Sequence, residues 1–415
     1  MRVVHLATSD SSGGASIAAF RLHKELLAAG VDSWMVVARK ESTCERVVQS
    51  GGKESVISSK IKYRLEKVCW QAVFGALGIY LESGLLPCSI LGPVKALNPD
   101  IVHLHWVQSG FVNSSTLRLV RVPIVWTLHD SWPIEGCTHI PLIDLRRIFA
   151  DRMNPYLFAI RIRLLVLVNN LLVTYKSKVL RDLEVSYIAP SDWMLGRARS
   201  SRLSEGRRVT KIPNIVCGAG APEPPLIKTK RTKGELLRLF YVGSPDNVNP
   251  VKGWHILIKA FRSLDPTLKS KVALFCIGTN NKQIQRGDGV VMLPPVGANS
   301  MGRYYNQMDI VVIPSYSESF SLVAAEAQAH GLPVIAFKGN AISEIITPES
   351  GYLVDEYGKQ GLADALANMI KGRKDWENMS KRALDVASKL VSASDVGGKT
   401  RELYRRILSE SCRVR

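Results

Sequence analysis

Four places in the chain put chemically useful residues beside turns of the kind that end a strand. The sharpest runs Pro314-Ser315-Tyr316-Ser317-Glu318-Ser319-Phe320-Ser321-Leu322-Val323-Ala324-Ala325-Glu326. Seven residues separate Glu318 from Glu326. With a helix starting near Ser319 or Ser321, Glu318 lies in the loop before it and Glu326 about two turns along. Two carboxylates that far apart do not share a proton. They suit two hydroxylated ends of one extended ligand, with a phosphate on the helix amides between them. Taken in isolation, the same residues are better described as a capped helix with two solvated acids.

The second place is Gly243-Ser244, followed by Lys252-Gly253-Trp254. A glycine turn offers amide donors and a lysine at a helix start offers a point charge, a pairing that suits a diphosphate. An ordinary surface lysine fits the pattern too. The third is Ser11-Ser12-Gly13-Gly14-Ala15, between a strand and a helix. Its glycines let backbone approach a phosphate, although a plain tight turn reads the same way. It is not GxGxxG, which weakens a dinucleotide-oxidoreductase reading. The fourth is His129-Asp130, directly after the strand PIVWTL and beside two tryptophans. His129 there can contact or polarise a hydroxyl or phosphate, or serve the structure beside a capping Asp130. His103 and His105 alternate along IVHLHW and read as packed, hydrogen-bonded strand residues, with His105 near the rim.

These sites need strands that end where ligands bind. The first half offers a β-rich run from Val3 to Ser9, the helix SIAAFRLHKELLAAG, and the strands WMVVAR, IVHLHW, PIVWTL and VSYIAPS. The second half alternates LRLFYVGS, VALFCIG, VVMLPPV, DIVVIPS and PVIAF with helical segments. Strand–helix alternation predicts parallel, doubly wound sheets, whose ligands bind beyond the carboxyl ends of the strands. The fold class is therefore α/β, with two Rossmann-like domains facing across a cleft. Their boundaries are 1–217 and 236–392, joined by the Gly-, Pro- and Lys-rich stretch 218–235. A charged C-terminal helix, 393–415, is expected to pack back on the first domain.

Composition limits the partners. Of 415 residues, 46% are hydrophobic and 22% charged, which excludes disorder. The net charge of +19 calls for an acidic partner: nucleic acid, an anionic membrane surface or a phosphate-bearing substrate. The seven cysteines are scattered without zinc spacing, so they read as free thiols with no structural metal. The N-terminus turns polar too soon for a signal peptide. Val68 to Leu81 comes nearest to a membrane span and is too short, so the expectation is a soluble or peripheral protein.

Together these motifs resemble the retaining glycosyltransferases of the GT-B fold in the bacterial group 1 family, also called family 4. The likeness is strongest from Leu237 to Val354, through VGS…VKG, PSYSESFSLVAAEA, HGLPVIA and ISEII. The segment TLHDSWPIEGCTHI resembles a subgroup that builds exopolysaccharide and lipopolysaccharide. The resemblance implies a cytoplasmic, metal-independent enzyme without a cofactor, taking a nucleotide-diphosphate sugar as donor. Glu318 would bind the donor hexose, and Lys252 would neutralise the leaving phosphate. The amides of Phe320, Ser321 and Leu322, with Ser319 beside them, would hold the diphosphate, and Glu326 the ribose. Gly243 and Ser244 would line the donor site, Gly13 and Gly14 would close over it, and His129 would sit near the anomeric carbon. Two departures stand out. Ser244 and PDNVNPV occupy positions where the family often has an Arg, and ESFSL replaces EGFGL.

The resemblance places the acceptor in the N-terminal domain, and the positive charge concentrates there. Residues 141–240 hold 19 Lys+Arg and 8 Asp+Glu, a net +11 of the +19. The stretch from Arg147 to Arg181 mixes basic residues with long apolar runs, as a segment lying at an anionic membrane interface does, or a helix pair with a solvated basic edge. The expected acceptor is a lipid-linked or growing cell-surface polysaccharide, at the inner face of the cytoplasmic membrane. Rival readings are a sugar-nucleotide-binding protein with little transfer, a nucleic-acid-binding protein and a dehydrogenase. No helix-turn-helix, zinc finger or RNP-type motif supports nucleic acid as a partner.

Overall fold

The computed structural model describes all residues except 52, 78, 87–90, 150–153, 217–234, 245–248, 279–288, 373–375, 393–394 and 415. All of the expected linker but Glu235 therefore lies outside the described residues, as do residues 245–248 of PDNVNPV. The chain divides into two compact units, Met1–Ala219 with Ser394–Arg415, and Gly220–Ala393.

The first unit is built on seven parallel strands: β1 (Arg2–Ser9), β2 (Asp32–Arg39), β3 (Val47–Gln49), β4 (Ile101–Leu104), β5 (Ile124–Thr127), β6 (Val185–Ala189) and β7 (Val209–Lys211). Their order is β3-β2-β1-β4-β5-β6-β7, a doubly wound sheet that reverses direction between β1 and β4. Sheets of this kind are covered on both faces, so their strands are nearly all apolar. Val3, Val4, Leu6 and Ala7 of β1 and all of β4 and β5 are buried accordingly. The three-residue edge strands β3 and β7 lack an apolar run long enough to be read from sequence. Helices α1 (Gly14–Ala28), α2 (Lys53–Phe74), α3 (Leu91–Leu97), α4 (Leu142–Phe149), α5 (Pro155–Leu180) and α6 (Asp192–Arg199) complete the N-terminal part.

The second unit holds β8 (Leu237–Val242), α7 (Trp254–Arg262), α8 (Pro266–Lys269), β9 (Val272–Ile277) and β10 (Val290–Leu293). Beyond them come α9 (Met301–Gln307), β11 (Ile310–Ile313), α10 (Leu322–Ala329), β12 (Val334–Phe337), β13 (Gly351–Val354), α11 (Lys359–Lys371) and α12 (Trp376–Ser392). Its six parallel strands run β10-β9-β8-β11-β12-β13. The last helix, α13 (Val396–Val414), belongs to the first unit. Its Val396, Leu403, Tyr404 and Ile407 join Leu22 and Leu26 of α1 in one buried cluster.

One expectation needs correction. The nearest approach to a membrane span is not Val68 to Leu81 but α5, a helix of 26 residues whose most apolar 18-residue window has mean hydropathy 1.8 and is 28% buried, long and apolar enough by length and composition alone to cross a membrane. A search for uncharged runs passes over it because Arg161 and Arg163 interrupt the sequence. The asparagine Asn154 caps its start, accepting from the amide of Tyr156 at 3.0 Å.

Candidate functional site

In the second unit, two of the sequence motifs meet. Lys252 Nζ lies 2.8 Å from Glu318 Oε1. The lysine is half-exposed and the carboxylate mostly covered, at 51% and 14% exposure. The contact is set by backbone. Gly253 adopts φ 69°, and a Cβ there would stand 1.9 Å from the Pro314 carbonyl oxygen. Only glycine lets the lysine turn lie this close to the loop after β11. The amide of Tyr316 donates to the Val251 carbonyl at 2.8 Å, and Ala341 donates to the Glu318 carbonyl at 3.2 Å. Glu318 is thus pinned by its main chain while its carboxylate faces the lysine.

Helix α10 begins at Leu322, with Ser321 as its cap. The Ser321 hydroxyl accepts from the Ala324 amide at 3.4 Å. Ser321 has φ 73°, in the left-handed region that glycine adopts freely. This is the second position at which ESFSL differs from EGFGL, so serine here carries the strain that glycine avoids. Phe320 and Ser321 are buried, whereas Ser319 and Leu322 are half-buried. Glu326 lies in the second turn of α10 and accepts from the Tyr305 hydroxyl at 3.1 Å. Gly243 follows β8, and a Cβ on Gly278 would meet its carbonyl at 2.9 Å. Ser244 is half-buried. Buried Tyr241 nearby has its phenol pushed up, by burial first and then by the charges of Cys276 and Glu318.

The remaining sequence candidates belong to the first unit. Gly13 has φ 88° and precedes α1 with open space around it; Gly14 is the first residue of that helix. His129 follows β5, half-buried. Its Nε2 lies 3.0 Å from His105 Nδ1. Burial pulls the His129 imidazole down to about 4, so it is neutral at pH 7. Asp130 organises the loop rather than capping a helix. It accepts from Trp106 Nε1 at 2.8 Å, from the Trp132 amide at 3.0 Å and from His139 Nδ1 at 2.7 Å.

His105 is not at a rim. It is 2% exposed, beyond the end of β4. The parallel pairing of β1 with β4 sets His5 opposite His103, which brings His5 Nδ1 to 3.0 Å from His105 Nε2. His103 is occupied on both sides, 2.5 Å from the Tyr404 hydroxyl and 2.7 Å from Thr127 Oγ1. Donor nitrogens of His5, His103 and His105 lie within 4.8 Å of one another, the one such histidine group found among the described residues. No carboxylate joins that group, and five of its six nitrogens already serve as hydrogen-bond partners, so the set fits a neutral network better than a buried dication.

Sequence reasoning also passed over Glu82 and Lys176. Glu82 is 2% exposed and accepts from the amides of Ser109 and Gly110 at 2.9 and 3.0 Å, and from Tyr80 at 2.9 Å. Burial pushes its carboxyl up. Lys176 donates to the carbonyls of Trp132 and Glu135 at 2.8 and 2.9 Å and sits 3.4 Å above the Trp132 ring. Burial lowers its amine to about 7. A lysine in the apolar face of α5 was the available signal.

With this geometry in view, likeness to known proteins is informative. Residues 227–386 match the family model described as Glycosyl transferases group 1. D-inositol 3-phosphate glycosyltransferase of Corynebacterium glutamicum (strain R) is 28% identical over 310 residues, 69% of this chain and 68% of the relative. Sucrose-phosphate synthase from Thermosynechococcus elongatus shares the fold at a TM-score of 0.65 and 18% identity, over 99% of both chains. WaaG, a glycosyltransferase involved in lipopolysaccharide biosynthesis, gives 0.59 at 14% identity, over 98% of this chain and 99% of its own. Anabaena HepE in complex with UDP and glucose gives 0.59 at 16%, over 98% of this chain and 100% of its own. The fold is therefore GT-B, and the match to the group 1 glycosyltransferase model falls within the second unit.

Proposed function

We propose that the chain is a retaining, metal-independent glycosyltransferase that moves a sugar from a nucleotide-diphosphate donor to a lipid-linked or growing cell-surface polysaccharide. The observation that carries this reading is the Lys252–Glu318 pair at 2.8 Å, which joins the lysine turn to the loop before α10. Lys252 is exposed enough to exchange its carboxylate for a diphosphate. Glu318, released, accepts from the hydroxyls of the donor hexose. The amides of Phe320, Ser321 and Leu322 and the hydroxyl of Ser319 hold the diphosphate, Gly243 and Ser244 line it, and Glu326 accepts from the ribose. Gly13, Gly14 and His129 of the first unit keep in this reading the donor-sugar roles that the resemblance implies. HepE, solved with UDP and with UDP-glucose, supports a nucleotide sugar as donor.

The C1–O bond then breaks toward an oxocarbenium-like centre, and Lys252 and the helix amides stabilise the departing diphosphate. A phosphate oxygen on the same face takes the acceptor's proton as the new glycosidic bond forms. No protein nucleophile is required.

The acceptor reading rests on α5. Tyr156, Leu157, Ile160, Leu164, Leu167 and Leu171 are exposed along it, with Arg163, Lys178 and Arg181 exposed on or just beyond the same helix. An apolar stripe edged by cations suits peripheral binding to the anionic cytoplasmic membrane face, where a lipid-linked acceptor would be. Nucleic acid is not a partner in this reading.

The test is a thermal-shift screen of UDP-, GDP- and dTDP-sugars, followed by a transfer assay with the stabilising donor. Stabilisation by one donor, with product lost in Lys252→Ala, supports the reading. Binding without transfer to any saccharide or lipid-linked saccharide favours a sugar-nucleotide-binding protein instead.

A further inference from the structure

The first unit holds an open cavity of about 510 Å³, within the ~300–1,000 Å³ of small-molecule sites. It lies between α5, α6 and the segment after β5, and none of the candidate donor residues lines it. Trp193 and Arg197 come from α6, whose cap Ser191 stands two residues beyond β6. Glu135 comes from the segment that follows β5. The cavity therefore begins at the carboxyl ends of two strands, the end at which doubly wound sheets bind ligands.

Its walls are tied to one another. Glu135 accepts from Asn169 Nδ2 at 3.1 Å and from Arg197 Nη2 at 3.0 Å. The side-chain oxygen of Asn169 accepts from the amides of Gly136 and Cys137, both at 2.9 Å. A Cβ on Gly136 would stand 2.1 Å from the Asn169 carbonyl oxygen, so this approach requires glycine. The Ser201 hydroxyl donates to the Ile134 carbonyl at 2.6 Å. Three segments are thus joined before any ligand arrives, which reduces the ordering cost of binding.

The charges of the lining do not cancel. Its carboxylates, Glu135 and Asp192, are answered by Arg197 and by Lys211. Arg202 also lines the cavity, is exposed and has no acidic partner among the described residues. Asn170 and Ser200 add side chains that both donate and accept, as the hydroxyls of a sugar do. Trp193 adds an aromatic surface of the kind that covers the C–H face of a sugar ring.

The geometry points to a binding site for an anionic sugar, a hexuronate or a sugar phosphate, with Arg202 on the carboxylate or phosphate and Trp193 against the ring. A guanidinium pairs with either group through two parallel hydrogen bonds. The site is separate from the donor site of the second unit. Its place in the proposed function, holding an acidic unit of the acceptor chain, rests on that reading; the binding itself does not.

Tryptophan-selective 15N labelling of the full chain gives eight indole signals, and the one lost in Trp193→Phe is followed. Glucuronate, glucose 6-phosphate, glucose and inorganic phosphate are titrated at constant ionic strength. Glucuronate or glucose 6-phosphate should shift the Trp193 signal saturably, and the tighter of the two identifies the anionic group. Arg202→Gln should weaken that binding about tenfold, as loss of one charge-assisted hydrogen bond does. Glucose binding as tightly as the acidic sugars overturns the proposal, and so does inorganic phosphate shifting the signal as strongly as they do. Silence of Trp193 toward both acidic sugars overturns it as well. Lys252→Ala keeps the two readings apart: it should lower transfer and leave the Trp193 titration unchanged. A Trp193 response lost in that variant would assign the binding to the donor site instead.

Discussion

The two units carry their candidate residues in opposite ways. In the second, the key groups are charged, partly exposed and close in sequence to the glycines and serines that shape them. Lys252 and Glu318 are opposite charges that find each other at the ends of two loops. In the first, the corresponding group is a neutral imidazole, held by two others that come from distant strands. A site that binds a diphosphate needs charge and amides at fixed spacing, so its chemistry is written locally. A group held by neutral hydrogen bonds needs a low-dielectric support, so its place is written in strand pairing.

The largest expected effects test the charged half. Lys252→Ala and Glu318→Ala should each lower transfer by about two to three orders of magnitude, as loss of one stabilising group at a developing charge does. The half-exposed lysine supports little packing, so the melting temperature of Lys252→Ala should stay within a degree or two of the unsubstituted protein. Measured transfer and melting together decide: full activity in both variants removes the pair from the site.

Acid tests the neutral half. His5, His23, His103, His105 and His129 are all held below the ordinary value of 6.5, each by burial first. An unfolded chain takes up these protons as pH falls through 6.5, whereas the folded unit resists until lower pH. Their stabilising contribution is therefore complete above 6.5 and is lost as pH falls from 6.5 toward 4. Each imidazole contributes ~1.4 kcal/mol per pH unit inside its window. Hydrogen exchange read by mass spectrometry at pH 7.5 and 5 should show β1, β4 and β5 losing protection. Protection unchanged in these strands would mean that these histidines are solvated and not buried.

Much of the second unit was legible because its motifs are contiguous. ESFSLVAAEA and VKG each contain both the candidate group and the turn that positions it. His129 was legible for the same reason, standing at a strand's end. His5 was not, because nothing in MRVVHLATSD marks it until β1 pairs with β4 and sets it opposite His103. Glu82 and Lys176 were hidden by the same cause, since their partners come from loops about 30 and 40 residues away. The stretch from Arg147 to Arg181 reads as apolar and basic in the sequence, but Arg161 and Arg163 break its uncharged run, so α5 does not stand out there as one long apolar helix. Its outward stripe became visible only when the buried positions Ile162, Leu165, Asn169 and Leu172 were set against the exposed ones.

Lys176 gives a pH effect of the same sign in a higher window. Its amine falls from 10.5 to about 7 in the folded unit. Between those values the unfolded chain binds the extra proton, so stability rises with pH from 7 upward. Lys176→Met should flatten that rise between pH 7 and 9. It should also cost about 2 kcal/mol at pH 7, because the carbonyls of Trp132 and Glu135 lose their donor. Urea midpoints at the two pH values measure both. A variant whose pH slope matches the unsubstituted protein would show that this amine titrates normally.

The smallest effect sharpens the comparison within the charged half itself. ESFSL has two serines where the resembled pattern has glycines, and the backbone treats them differently. Ser321 is left-handed at φ 73°, whereas Ser319 is not among the residues with positive φ. A side chain in the left-handed region costs roughly 1 kcal/mol, which glycine avoids, while glycine frees the unfolded chain by a similar but smaller amount. The hydroxyl cap lost at Ser321 is long, 3.4 Å to the Ala324 amide, and its replacement by glycine costs only a few tenths of a kcal/mol. Ser321→Gly should therefore leave stability equal or raise it by about 0.5 kcal/mol, a melting shift of ~1–2 °C. Ser319→Gly has no strain to relieve and should lower stability by about 0.5 kcal/mol. Opposite signs in the two melting shifts would show that the serines are tolerated for different reasons. Equal losses would show that the Ser321 hydroxyl holds the start of α10 more firmly than its bond length indicates.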